Sequence, residues 1–287
     1  MQTLITQLVN GLVFGMLLFM MSAGLSLIFG LMNVVNIAHG SFFMLGAFFA
    51  LAIMQWTGSF WLALSLSWLP AVILGLVMER VFLRKLYARG HLDQVLLTFG
   101  FTFVFSDLVR VVWGTDIRDL PVPAILSGVF EIAGVVVPKY RLFLIVLGGL
   151  IALALWLFLE RSRLGAMVRA GVDDAFTANG IGINVSLLFA AVFAVGVGLA
   201  AVGGAAAGPV LGLYLGMDIE ILIPAFIVVV IGGMGSLRGA FVASIFVGVI
   251  DTFGKAYFPD FAMFVVYLLM VVVLLTRPEG LFGVKRA

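Results

Sequence analysis

Charge enters this chain late. From Met1 to Met78 there is no Asp, Glu, Lys or Arg, and the first charged side chain is Glu79. A bilayer core about 30 Å thick takes roughly 20 apolar helical residues to cross, so this run alone has room for three crossings. Further apolar segments follow, and the full set lies near 4–32, 37–56, 59–83, 94–113, 142–159, 186–208, 217–232, 240–256 and 260–276. Without water, each backbone must be helical or shielded inside the protein. The pattern predicts an all-α integral membrane protein of about 8–9 transmembrane or partly spanning helices, some discontinuous, forming a single transmembrane domain over 1–287. A signal peptide does not fit the N-terminus, which lacks a basic start and whose apolar run never stops.

Composition narrows the function. Hydrophobic residues make up 64% of the chain and charged residues 10%, against about a quarter charged in soluble domains. With no cysteine and only His39 and His91, thiolate chemistry is excluded and a His-based metal centre is disfavoured. A net charge of +2 gives no reason to expect nucleic acid. Lys and Arg sort by loop instead. Arg80, Arg84, Lys85, Arg89, Arg161, Arg163, Arg169, Arg238, Arg277, Lys285 and Arg286 fall on one side, and Arg110, Arg118, Lys139, Arg141 and Lys255 on the other. The positive-inside rule makes the first side cytoplasmic, with a cytoplasmic C-terminus and a short external N-terminus. The external loop 114–140, with Pro121, Pro123, Pro138 and alternating Val and Ile, predicts a short hairpin or irregular cap.

Polar residues break the apolar run in two places that echo each other. Residues 27–47 and 229–243 each read as apolar run, Gly-rich break, apolar run, as in transporters with internal repeats and broken helices. In the first, Asn33, Asn36, His39, Gly40 and Ser41 interrupt the span. They either cap the following helix, with His39 on a neighbouring carbonyl, or line a translocation path. Gly232 and Gly233 mark the second break, and the segment before it, from Glu220 through Pro224, is too short for an ordinary span. It predicts either a tilted or re-entrant helix whose end meets a zwitterionic solute, or a short helix held by its neighbours with Asp218 and Glu220 in external water. Gly204, Gly208, Gly212 and Gly216 form a four-residue ladder suited to close helix packing until Pro209 interrupts it. Asp107 with Arg110, and Asp251 with Lys255, have the spacing of local helical ion pairs near the external ends.

The cytoplasmic loop 160–185 is the longest mostly polar stretch on its side. Residues 164–179 have an amphipathic pattern, and Asp173 and Asp174 suit a second helix start. Small residues Ala170, Gly171, Ala175, Ala178 and Gly180 would admit a close partner. On residues alone this is a docking loop or an interfacial membrane helix. No nucleotide site is legible: the segment 248–256 has the wrong phosphate-loop spacing and ends on Ala256.

Gly24–Gly40 with Phe43–Gly46, Arg161–Gly165 with Arg169, Ala170, Asp173, Asp174 and Gly180–Ile183, Gly232–Ala240, and Thr276–Gly283 together resemble, in order, the LivH-type permeases of branched-chain amino-acid ABC importers. The resemblance implies a bacterial inner-membrane subunit paired with a second homologous (LivM-like) permease or with itself. It further implies two cytoplasmic ATPase subunits and a periplasmic substrate-binding protein. ATP and Mg would be bound by the ATPases, with no cofactor in this chain and no bond chemistry. It assigns the loop, including Arg163, Leu164, Gly165, Arg169, Ala170, Asp173, Asp174, Ala175, Ala178 and Gly180, to ATPase coupling. The family often has an acid where this chain has Ser41. Some family members carry urea, short-chain amides or aromatic acids. An ion-coupled secondary transporter or channel is the alternative from another class, and calls for acidic residues deep in the bundle. An intramembrane enzyme would need a nucleophile or metal set that this composition disfavours.

Overall fold

The computed structural model describes residues 2–87, 89–132 and 135–283. Lys285 and Arg286 lie outside the described residues. Every apolar segment is a helix: α1 (Gln2–Met32), α2 (His39–Thr57), α3 (Phe60–Leu66), α4 (Trp68–Val77), α5 (His91–Trp113), α6 (Lys139–Arg161), α9 (Val185–Leu211), α10 (Met217–Gly232), α11 (Leu237–Tyr257) and α12 (Ala262–Thr276). Among the described residues seven spans are long and apolar enough to cross a membrane, counting α3, α4 and the π and 3-10 turns to Leu86 as one. Helices α10 and α12, of 16 and 15 residues, are shorter. The chain is a multi-pass membrane protein.

Glycines set the packing. Apolar association gains nothing in lipid, so helices adhere where small residues let their backbones touch. A Cβ on Gly24 would sit 2.4 Å from the Gly196 carbonyl oxygen, and one on Gly15 would sit 2.9 Å from that of Ser244. Helix α1 is thereby sealed against α9 and antiparallel to α11. Phe19, Met20, Met21 and Phe43 are fully buried at this centre. Phe99 and Phe103 of α5, Val146 and Leu150 of α6, and Leu268 and Leu275 of α12 are exposed, as a lipid-facing surface requires.

The two echoing breaks meet. A Cβ on Gly30 would fall 2.7 Å from Gly235 Cα, so the end of α1 touches the turn between α10 and α11. Residues 33–38 are not helical. His39 at the start of α2 lies against the Met21 carbonyl, 11 residues back from the end of α1. At 1.5 Å per residue the non-helical segment has climbed back roughly 17 Å alongside its own helix. Helix α2 therefore begins inside the bundle.

The loop 114–140 contains the expected hairpin, β1 (Val129–Ile132) antiparallel to β2 (Val135–Pro138), pairing Phe130 with Val137. Arg118 bridges to Leu213, pinning the loop over the α9–α10 turn. The glycine ladder is shorter than its spacing predicts. Helix α9 runs through Pro209 to Leu211, while Gly212 and Gly216 lie beyond it with φ of 73° and 102°, in a turn and not on a helical face. The phosphate-loop lookalike is plain helix within α11 and its end.

Candidate translocation site

The break before α2 is solved without side-chain caps. Ala38 is its N-cap and no side chain bonds there, so the capping reading of Asn33 and Asn36 fails. The backbone finds partners on α5: Thr98 Oγ1 accepts from Ile37 N at 3.2 Å, and Thr98 itself is fully buried. Asn33 adopts φ 51°, the one positive φ outside glycine among the described residues, and its amide lies 3.5 Å from His91 Nε2 at the exposed end. His39 is fully buried and its Nε2 donates to the Met21 carbonyl at 3.1 Å, as anticipated. A carbonyl only accepts, which places the ring proton on Nε2. Asn36 is fully buried with neither amide atom partnered within the described chain. Such atoms cost about 1–3 kcal/mol each.

Helix α10 enters differently from expectation. Asp218 is 1% exposed, not in water. Its Oδ2 accepts from Ser41 Oγ at 3.0 Å and Ser106 Oγ at 3.4 Å. Placement follows from Gly40, whose Cβ, if it had one, would lie 2.3 Å from the Asp218 carbonyl oxygen. That contact lets the first turns of α2 and α10 touch. Glu220 is exposed as expected, and accepts a bond from the Tyr214 hydroxyl. A second acid, Glu79, is 1% exposed in the π turn Met78–Phe82, where the Tyr87 hydroxyl donates to it at 2.6 Å. Burial and then Glu79 push the Tyr87 hydroxyl well above its ordinary value. Two acids are thus buried within the described bundle, the feature an ion-coupled carrier calls for. Both expected ion pairs form, Arg110–Asp107 at 3.0 Å and Lys255–Asp251 at 2.7 Å.

A cavity of about 1010 Å³ opens between α1, α10, α11 and α12. Its wall is apolar, with Phe14, Phe43, Ile221, Pro224, Ile227 and Val266. Glu220, Tyr214, Asp251 and Lys255 add polar groups to its lining. Lys255 Nζ also sits 5.3 Å from the centre of the Phe14 ring. Of the path candidates read from sequence, Pro224 lines this cavity, and Asn33, Asn36, His39, Gly40, Gly232 and Gly233 are not among its lining residues. Gly232 is pressed against Gly239, where a Cβ would meet carbonyl carbon at 2.5 Å. Gly233 receives the C-terminal segment: Leu281 N and Phe282 N donate to Ile231 and Gly232 carbonyls at 2.8 and 3.1 Å. The Thr276–Gly283 motif thereby closes the end of α10.

The loop 160–185 forms two short helices, α7 (Arg163–Asp173) and α8 (Ala175–Gly180). Ser162 caps the first by accepting from Gly165 N at 2.9 Å, and Gly165 leaves no room for a Cβ beside the Leu159 carbonyl. Asp174 caps the second, accepting from Phe176 N at 2.9 Å and Thr177 N at 3.1 Å. The Thr177 hydroxyl, and then these N–H groups, hold its carboxyl below the usual range. The side chains of Asp173 and Ala175 lie outside the described ones. Two of the small residues point the wrong way for docking: Gly171 packs on Leu188 and Leu31, and Ala178 is buried. Arg163, Arg169 and Gly180 are exposed, Ala170 half-buried. Among the described side chains the outward apolar groups are Leu164, Ile181 and Phe176, the last 90% exposed and outside the set of small residues that the loop's sequence offers for docking.

Comparison of sequences with known proteins points to one family. The family described as branched-chain amino acid transport system / permease component matches residues 7–274. The high-affinity branched-chain amino acid transport system permease protein BraD of Pseudomonas aeruginosa is 31% identical, covering 96% of this chain and 95% of its own. The corresponding LivH of Escherichia coli is 26% identical over 96% and 94%. In fold, PsaBC from Streptococcus pneumoniae in complex with Fab aligns with TM-score 0.51 at 13% identity, covering 95% of this chain and 92% of that one. The chain belongs to the permease components of the branched-chain amino acid transport systems.

Proposed function

We propose that this chain is one of two permease subunits of an ABC importer in the bacterial inner membrane, moving branched-chain or other hydrophobic amino acids. The cavity carries the reading: about 1010 Å³, apolar-walled, with Asp251, Lys255 and Glu220 on its lining. Phe14, Phe43 and Ile221 suit an aliphatic side chain, and the paired charges suit a zwitterionic head. A urea-sized amide would leave most of that wall unfilled. Asn36 and His39 join the path when the break rearranges. The N-terminus is external and the basic loops and C-terminus are cytoplasmic.

The remaining parts of the machine are supplied in trans. A second LivM-like permease, or another copy, completes the pore. Two cytoplasmic ATPases bind ATP and Mg and grip α7 and α8, and a periplasmic binding protein delivers the solute. Purification of the subunit from its native membrane in mild detergent, with mass spectrometry of what accompanies it, tests this. Two ATPase copies and a second permease are expected, and the isolated complex in liposomes takes up labelled leucine in preference to urea on ATP addition. A well-folded chain that purifies alone and transports without ATP overturns the proposal.

A further inference from the structure

A helix start usually offers unpaired N–H groups, which is what suits it to anions. At the start of α10 the preceding turn takes them. Met217 N donates to the Tyr214 carbonyl at 3.4 Å, and Ile219 N and Glu220 N both donate to the Gly216 carbonyl at 3.2 Å. Asp218 and Glu220 in the first turn oppose the positive end of the helix dipole. An anionic group arriving there meets two carboxylates, with three of the N–H groups already bonded.

The same wall offers acceptors instead. Pro224 lies inside α10 and has no N–H, so the Glu220 carbonyl, four residues back, goes without its helical donor. The Glu220 carboxylate accepts from the Tyr214 hydroxyl through Oε2, which leaves Oε1 to accept from elsewhere. Glu220, Pro224 and Tyr214 all line the cavity. An alkylammonium has three donors and no acceptor, the complement of that set.

Helix α11 has the opposite character. Among the described residues Lys255 is the one cation lining the cavity. Asp251 takes one of its N–H groups at 2.7 Å, and the Lys255 side chain remains 61% exposed. Two donors are left for a carboxylate.

We infer that the cavity holds an amino acid in one orientation. Its ammonium lies on the Glu220 carboxylate and on the Glu220 carbonyl that Pro224 frees, its carboxylate on Lys255, and its side chain against Phe43 and Ile221. The head of the solute thereby bridges α10 and α11. Pro224 determines specificity by withholding a donor. The inference rests on the cavity being the solute path, and adds which end of the solute each helix reads.

Saturation-transfer NMR on the full chain in its complex, in nanodiscs and without binding protein, tests the orientation with three probes that share one side chain. Leucine carries both charges, leucinamide only the ammonium, and 4-methylpentanoate only the carboxylate. Lys255→Met is expected to weaken leucine and 4-methylpentanoate about tenfold, for one charge-assisted bond lost, without weakening leucinamide. Glu220→Gln keeps an acceptor for Tyr214 and is expected to do the reverse, weakening leucine and leucinamide while sparing 4-methylpentanoate. Pro224→Ala restores the helical N–H, favours α10 and changes no charge. It is expected to weaken leucine and leucinamide several-fold and leave 4-methylpentanoate unchanged, and it keeps the test decisive should a charge substitution fail to fold. Unchanged leucinamide binding in Pro224→Ala overturns the role of the freed carbonyl. The reversed pattern, or equal effects on all three probes, overturns the orientation alone. No contact between leucine and wild type overturns the cavity as the path, and the orientation with it.

Discussion

Ser41 and Asp218, 177 residues apart in sequence, meet at 3.0 Å with the Ser41 hydroxyl donating to the carboxylate. The bond joins the first turns of the two helices that follow and precede the bundle's two breaks. It exists because Gly40 beside it has no side chain.

Gly40→Ala is the most direct test of that junction. The new methyl would need to occupy space 2.3 Å from a backbone oxygen, which no rotamer relieves. Overpacking of this kind costs about 1–3 kcal/mol. A lower detergent unfolding temperature and lost uptake are expected, whereas a stable, active variant would show that α2 and α10 do not need this contact.

Asn36→Leu separates function from stability. Both amide atoms lack partners in the described chain, and replacing unsatisfied polar atoms by apolar ones of similar size is neutral or stabilising. Thermal unfolding should be unchanged or raised while uptake falls several-fold. Unchanged uptake would remove the break from the path.

Phe176→Asp tests docking. An aromatic residue 90% exposed on α8 has no fold-stabilising role, and buried aromatic anchors contribute about 2 kcal/mol or more at interfaces. Loss of roughly thirtyfold in ATPase affinity, at about 1.4 kcal/mol per tenfold, is expected with normal membrane insertion. Titration of purified permease with its ATPase reads the outcome, and equal affinity would move the docking surface elsewhere on the loop.

Acid should loosen the same helix in one direction only. The Asp174 carboxyl is held below its ordinary value of 3.8 by the Thr177 hydroxyl and the α8 amides. A lowered value means the cap is fully present above 3.8 and is lost as pH falls further. A spin label at Asn179→Cys, unique because the chain has no cysteine, should report constant mobility down to that range and increased mobility below it. Increased mobility already near neutrality would contradict the capping assignment.

The helices were legible because hydrocarbon leaves one backbone solution and because charge is absent for the first 78 residues. The expected hairpin and both ion pairs were equally local. What sequence did not disclose depends on depth. Asp218 and Glu220 are two residues apart and read alike, yet one is sealed by Gly40 and the other meets Tyr214 near solvent. Asn33 and Asn36 look like caps, yet no side chain caps α2 and the break is instead tied at Ile37 N to Thr98, far along the chain. Thr98, Thr102 and Ser106 stand four residues apart on α5, yet isolated Thr and Ser in an apolar span carry no signal of their burial. Phe176 is not legible as an outward anchor because exposure is a property of the folded loop, and in sequence it is one apolar residue among small ones.

The contact between Leu281 and Ile231 has a consequence for biosynthesis. The last carbonyls of α10 are satisfied by residues made about fifty positions later, after α11 and α12. On the ribosome, α10 enters the membrane with that end still open. Translocon-stage intermediates ending before Gly280 therefore leave it exposed to quality-control proteases, and stop codons in this short tail should deplete the protein even though every span has been synthesised.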